Sequence, residues 1–251
     1  MWHASNIYSH RGWNVPQFYG KWPFIKVWGL QEPASVLFSF LNWLANVYNI
    51  IQFRKVVPSS APLYLLCHSH FLICANAWIW SMVFHARDTL LSEKLDYFSA
   101  FSMVLFSLLM LLIRTRGRGN LQRKVYLFGG AVLFFLYHVW YLSTRRFDYG
   151  YNMKVNVTIG VLNGVEWMWW TVNRPDYHPY LFWCRVTMVC MGATMFLELL
   201  DFPPLFWTFD AHALWHLATS VLPFLWYRFL EGDCLYLLEN SSRNSKLKKS
   251  V

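Results

Sequence analysis

Charge is what this sequence has least of. Asp, Glu, Lys and Arg make up 14% of its 251 residues, where a soluble domain averages about 25%. That deficit excludes an ordinary water-facing surface. Apolar residues fill the space, with 56% of the chain hydrophobic and 20% aromatic. A disulfide framework is also missing: the five cysteines (Cys67, Cys74, Cys184, Cys190, Cys234) are odd in number, and four fall inside apolar runs, so they read as membrane-core residues. Met1 to Leu30 mixes Trp, His, Pro and charge and shows no secretory leader. No internal repeat or low-complexity segment stands out. The net charge of +9 is not a nucleic-acid footprint, because the basic residues sit between apolar segments and at the C-terminus.

What is present is a series of apolar runs of membrane-crossing length. Seven spans are expected: Pro33–Phe53, Ala61–Phe84, Leu95–Ile113, Val125–Leu142, Lys154–Val172, Pro179–Leu200 and Asp210–Leu230. Short connections favour antiparallel neighbours. The expected fold is therefore all-α, a polytopic membrane protein built as a seven-transmembrane helix bundle. Residues 1–32 form a luminal N-terminal segment, 33–230 the membrane domain and 231–251 a cytosolic basic tail.

Loop charge orients the bundle. With the N-terminus on the luminal side, cytosolic segments carry Arg54 and Lys55, the RTRGRGNLQRK stretch, Arg174, Arg228 and the tail residues Arg243, Lys246, Lys248 and Lys249. The opposite loops carry only Arg87, Lys94, Arg145, Arg146 and Lys154, which satisfies the positive-inside rule. Arg11, Lys21 and Lys26 in the N-terminal segment weigh weakly the other way.

The candidate chemistry lies in DAHALWH. His212 and His216 stand four residues apart, so on a helix both imidazoles share one face. The expected topology brings His85, at the end of span two, and Asp96, at the start of span three, to the same luminal depth. Three histidines with one position left open are the parts of a catalytic zinc site. In this reading His85, His212 and His216 ligate Zn2+ and Asp96 is general base and then general acid. Ser81, one turn before His85, hydrogen-bonds the water or the developing oxyanion. Asp88 and Asp210 are candidates for carboxylates that fix a histidine tautomer, or else loop and helix N-cap residues.

Other polar residues carry plainer readings. His68, His70 and His138 read as interfacial or internally satisfied histidines, and Glu166, Arg185, Glu198 and Asp201 as buried pairing groups. Trp167, Trp169, Trp170 and Trp215 read as packing and interface aromatics. The loop RRFDYGYN, near Lys154, is either a phosphate contact or a solvated turn. Asn156-Val157-Thr158 is a glycosylation sequon set too near a span to use.

Several stretches in order, VPQFYGKWPF, QEPASV, WSMVFHARDTLLSEKLDYFSA, RFDYGYN, LELLDFPPLFW, DAHALWH and FLEGDCLYLL, resemble the GPI-specific phospholipase A2-like family that remodels GPI anchors after their attachment to protein. The likeness reaches to about Leu238 and places the chain near a wider superfamily of seven-span metal hydrolases, CREST, that includes alkaline ceramidases and the progestin and adiponectin receptors. The resemblance implies zinc on His85, His212 and His216, with Ser81 and Asp96 as the matching polar pair. It implies removal of the unsaturated sn-2 acyl chain from the inositol phospholipid of GPI-anchored proteins, at the luminal face of the Golgi membrane. Family members carry a signal peptide and a cysteine-rich luminal segment ahead of VPQF, where Met1 to Asn14 stands here. The ending KLKKSV is similar to a dilysine retrieval signal, which suits cycling through the endoplasmic reticulum. The alternatives are a ceramidase-like amide hydrolase and a non-catalytic seven-helix receptor or GPI-binding chaperone.

Overall fold

Local signals set the helix ends. In a computed structural model, which describes residues 8, 10–11, 15–18, 21–117, 119–144, 146–174 and 178–249, with side chains to 244, eight helices follow one another. α1 (Pro33–Val56) opens on proline, which needs no N–H there, and closes on Arg54 and Lys55, whose charge suits the helix C-terminus. α2 is Tyr64–Ala86. α3 (Leu90–Thr115) starts at a capping box in which Thr89 and Ser92 satisfy each other's backbone N–H. α4 is Leu121–Thr144, and α5 (Tyr149–Val172) is capped by Asp148, which accepts from the Tyr151 N–H. α6 (Leu181–Leu199), α7 (Ala211–Thr219) and α8 (Leu222–Lys249) complete the order.

The expected seventh span is not continuous. Its helix stops at Thr219 and a second one begins at Leu222. The cause is local: Thr219 and Ser220 turn their hydroxyls onto the carbonyls of His216 and Leu217, and Pro223 has no N–H to return to Thr219. α8 then runs to Lys249, through most of the stretch expected to be a tail. Met1 to Asn14 (except Tyr8, His10 and Arg11), Arg118 and Arg145 lie outside the described residues, as do the Lys246, Lys248 and Lys249 side chains.

Packing follows chain order and then closes. α1 lies on α2, α2 on α3, α3 on α5, α5 on α6, and α6 on α7 and α8, which return to α1; α4 packs on α3 from outside. Ala34, Ser35, Ser39, Asn42, Ala45 and Asn46 recur along one buried face of α1, small and polar side chains that allow close helix approach without water. The larger core cluster gathers Phe53, Leu111, Trp167, Leu181, Tyr227 and Phe229 at the far end from the histidines. A smaller one, Ala34, Phe38 and Ala213, lies beside them.

The described residues contain no strand beyond isolated bridges. Four helices, α1, α3, α4 and α6, are long and apolar enough to cross a membrane. α4 buries only His138 and Leu142 and turns residues such as Val125 and Leu133 outward, as a lipid-facing helix does. α2, α5 and α8 carry more polar residues, among them His68, His70, Asn156, Asn163, Glu231 and Asp233.

Candidate metal centre

Two helices deliver the three histidines. His85 sits in the last turn of α2, His212 and His216 one turn apart on α7. α7 is fixed at its start by Asp210, whose carboxylate accepts the Ala213 N–H at 2.9 Å. Asn42 of α1 donates to the His216 carbonyl at 2.6 Å, tying the same turn to the first helix. The Nε2 atom of His216 lies 3.3 Å from that of His85 and 3.0 Å from that of His212. His85 and His216 are buried.

The outer ring nitrogens decide what these atoms can do. His85 Nδ1 lies 2.6 Å from a Glu32 carboxylate oxygen, and His212 Nδ1 lies 2.7 Å from one of Glu198. A carboxylate only accepts, so each Nδ1 carries the proton and each Nε2 presents a lone pair inward. One N–H from His216 can serve only one of those two lone pairs. A cation serves all three. Ligand atoms of the three rings lie within 4.8 Å of one another, and tetrahedral zinc with bonds of about 2.0–2.1 Å sets its nitrogens about 3.3 Å apart. Imidazole donors backed by carboxylates are the arrangement that orients histidine toward a metal, so the residues fit zinc. His216 Nδ1 has no partner among the described residues, and its ring packs between tryptophans: Trp78 meets it edge-on at 5.4 Å and Trp215 lies tilted against it at 5.1 Å.

The tautomer-fixing carboxylates are thus Glu32 and Glu198, not Asp88 and Asp210. Asp210 is the N-cap of α7, and Asp88 pairs with Lys21. Both stand beside a histidine in sequence, but local backbone geometry turns them elsewhere. Burial raises the Glu32 carboxyl; the attraction and hydrogen bond of the His85 Nδ1–H outweigh it and leave its pKa below the usual carboxylate value.

The remaining expected residues fall nearby. Ser81 is buried one turn above His85 and shares a 3.0 Å hydrogen bond with Ser39 of α1, a partner the sequence did not suggest. Asp96 is half-buried, makes no hydrogen bond among the described residues and lies within electrostatic reach of His85, His212, Glu32 and Glu198. Asp201 accepts from Gln17 Nε2 and Trp22 Nε1, both at 2.6 Å, and so pins the segment before α1 over this end of the bundle. Away from the centre, Arg54 donates to His68, His138 meets Asn152, Arg116 pairs with Glu166 and Arg185 donates to the Thr171 carbonyl. His68 is satisfied on both ring nitrogens, whereas His138 Nδ1 and Arg185 Nε have no partner among the described residues and the Arg116–Glu166 pair is exposed rather than buried.

The model of the Per1-like family matches residues 1–234. The chain belongs to the Per1-like family. Among its Per1-like relatives, a Xenopus tropicalis protein named GPI-specific phospholipase A2-like PGAP3 is 47% identical over 95% of this chain and 76% of its own length. The Homo sapiens protein of the same name is 45% identical, over 98% of this chain and 77% of its own. A Drosophila melanogaster relative, named post-GPI attachment to proteins factor 3, is 42% identical over 92% of this chain and 71% of its own.

Proposed function

We propose that this Per1-like protein remodels the lipid of GPI anchors, hydrolysing the ester that holds the unsaturated sn-2 acyl chain on the inositol phospholipid. One observation carries the reading: three histidine Nε2 atoms converge, two of them backed by carboxylates, in a chain whose relatives are named for a GPI-specific phospholipase A2-like activity. His85, His212 and His216 would hold zinc, which would supply Lewis acidity toward the ester carbonyl and the attacking water.

The chain's own groups do the rest. Asp96 is the carboxyl near the histidines with no hydrogen-bond partner among the described residues. It takes the proton from the attacking water and returns it to the departing glycerol oxygen. The products are a free fatty acid and a lyso-GPI protein, so atoms and charge balance. Ser81, held by Ser39, offers its O–H to the oxyanion. Glu32 and Glu198 hold the rings in the ligating tautomer throughout.

On this reading the bundle crosses the membrane seven times, with α7 and the start of α8 as one broken seventh crossing. The histidines face the lumen of the Golgi, the substrates are GPI-anchored proteins within the bilayer, and nucleic acid plays no part. The test is rescue of cells that lack GPI fatty-acid remodelling, with the sn-2 chain read by mass spectrometry. The unsubstituted chain restores remodelling and His212→Ala at equal expression does not. Rescue by both would overturn the catalytic assignment; release of acyl chains from ceramide instead of GPI would overturn the substrate.

A further inference from the structure

Two tight turns project from the histidine end of the bundle. One is closed by the bridge between Val27 and Leu30, the other by the bridge between Leu205 and Phe209. They are fastened together, since the Ile25 N–H donates to the Trp207 carbonyl at 2.9 Å. Each is also fastened to the site. Two residues past the first turn, the Glu32 N–H donates to the carbonyl of His85; one residue past the second, Asp210 opens the helix that carries His212 and His216.

Each turn lifts one large aromatic side chain away from the protein. Trp28 is 97% exposed and Phe206 84% exposed. Both have left-handed backbone, with φ of 52° and 53°, a region that bulky residues rarely occupy. Neither ring stacks on another among the described residues. A chain facing only water has no use for two such rings at strained positions. Lys26, exposed and without an ion pair among the described residues, stands two residues before Trp28.

The apolar surface does not stop at the turns. Phe196, Leu199 and Leu200 are exposed at the end of α6, a helix of membrane-crossing length, and Leu205 and Phe206 continue the run. The indole of Trp28, apolar but with a polar N–H, suits the boundary between headgroups and acyl chains, the phenyl ring of Phe206 adds apolar surface that enters the acyl side, and a lysine beside them reaches lipid phosphate.

We propose that Trp28 and Phe206 are the two points of a lip that lies in the headgroup–acyl boundary of the leaflet on the histidine side, with the phospholipid bilayer itself as partner. The lip fixes the depth of the three-histidine centre through Glu32 and Asp210, the residues that follow the turns. The proposal rests on the chain being embedded in a membrane and not on its catalysing any reaction.

The test uses the full chain in phosphatidylcholine nanodiscs, which leave both faces open to solvent. Phe206→Cys and, separately, Trp28→Cys are labelled with an environment-sensitive fluorophore. The unsubstituted chain, treated identically, supplies the background of the native cysteines. Asn244→Cys, on an exposed part of α8, is the solvent reference. Lipid bearing a nitroxide near the top of its acyl chain quenches labels at 28 and 206 several-fold more than at 244, and aqueous iodide quenches them several-fold less. Iodide quenching equal to that at 244, with none from the nitroxide lipid, would place the tips in water and overturn the proposal. Protection from both quenchers would mean that protein, such as a second copy of this chain, covers the tips; that also overturns it.

Discussion

Glu32 holds His85 twice. Its N–H donates to the His85 carbonyl at 3.0 Å, and its carboxylate accepts from the ring Nδ1 at 2.6 Å. The backbone bond fixes where the carboxylate sits, and the carboxylate fixes which nitrogen of the ring is free. Glu198 does the second of these for His212. The two glutamates are therefore what make the centre a preformed set of lone pairs.

Removing either carboxylate frees a ring to rotate and to change tautomer. Glu32→Ala and Glu198→Ala are expected to hold zinc about 10- to 100-fold more weakly, the usual cost of losing such a partner. Competition with a graded series of chelators on the purified protein measures it. Wild-type retention in both variants would detach the carboxylates from metal binding.

His216 offers the cleanest test of ligation, because its Nδ1 has no partner among the described residues and its loss leaves no carboxylate unpaired. His216→Ala is expected to lower the zinc content of purified protein while the helical signal stays. Unchanged stoichiometry removes this histidine from the centre.

Much of this was legible in the sequence, for reasons that differ by residue. His212 and His216 declare themselves by helical spacing, and His85 and Asp96 by the depth that charge-oriented spans give them. Glu32 does not, because it reaches a ring 53 positions away across a chain turn that no periodicity links. Glu198 left a trace, being an acid at the end of an apolar helix, where ionisable groups are costly and tend to be functional. Asp88 and Asp210, within three positions of a histidine, left two readings open, and the structure takes the plainer one for Asp210, which caps the backbone as aspartate before a helix commonly does. The break after Thr219 had its signal in Thr-Ser followed by Pro223.

The far end of the bundle has its own polar lock. Arg114 donates two hydrogen bonds to Asp233, at 2.5 and 2.6 Å, with both side chains buried, and Tyr180 adds a third to the same carboxylate. Asp233→Ala leaves a buried guanidinium without its partner and is expected to cost about 3–5 kcal/mol. Replacing both, Arg114→Met with Asp233→Leu, is expected to restore most of that. Gly232→Ala strains the same place, since its new Cβ would lie 2.3 Å from Tyr180 Cβ. Unfolding in detergent, followed by circular dichroism, reports all three. A wild-type midpoint for Asp233→Ala would show the pair to be energetically idle.

Asp96 separates holding a metal from using it. It touches neither histidine through a hydrogen bond, yet it lies within electrostatic reach of His85 and His212 and of both glutamates that orient them. Asp96→Ala should therefore keep its zinc, because no ligand tautomer depends on it. Acyl release should fall about 100- to 10,000-fold, the range general acid–base groups contribute. Asp96→Asn keeps the shape without the proton affinity and should fall as far. Zinc content by mass spectrometry of the intact protein and acyl release from GPI anchors are read on the same preparation. Loss of both together would make Asp96 part of the metal's support, and wild-type release with zinc in place would leave proton transfer to another group.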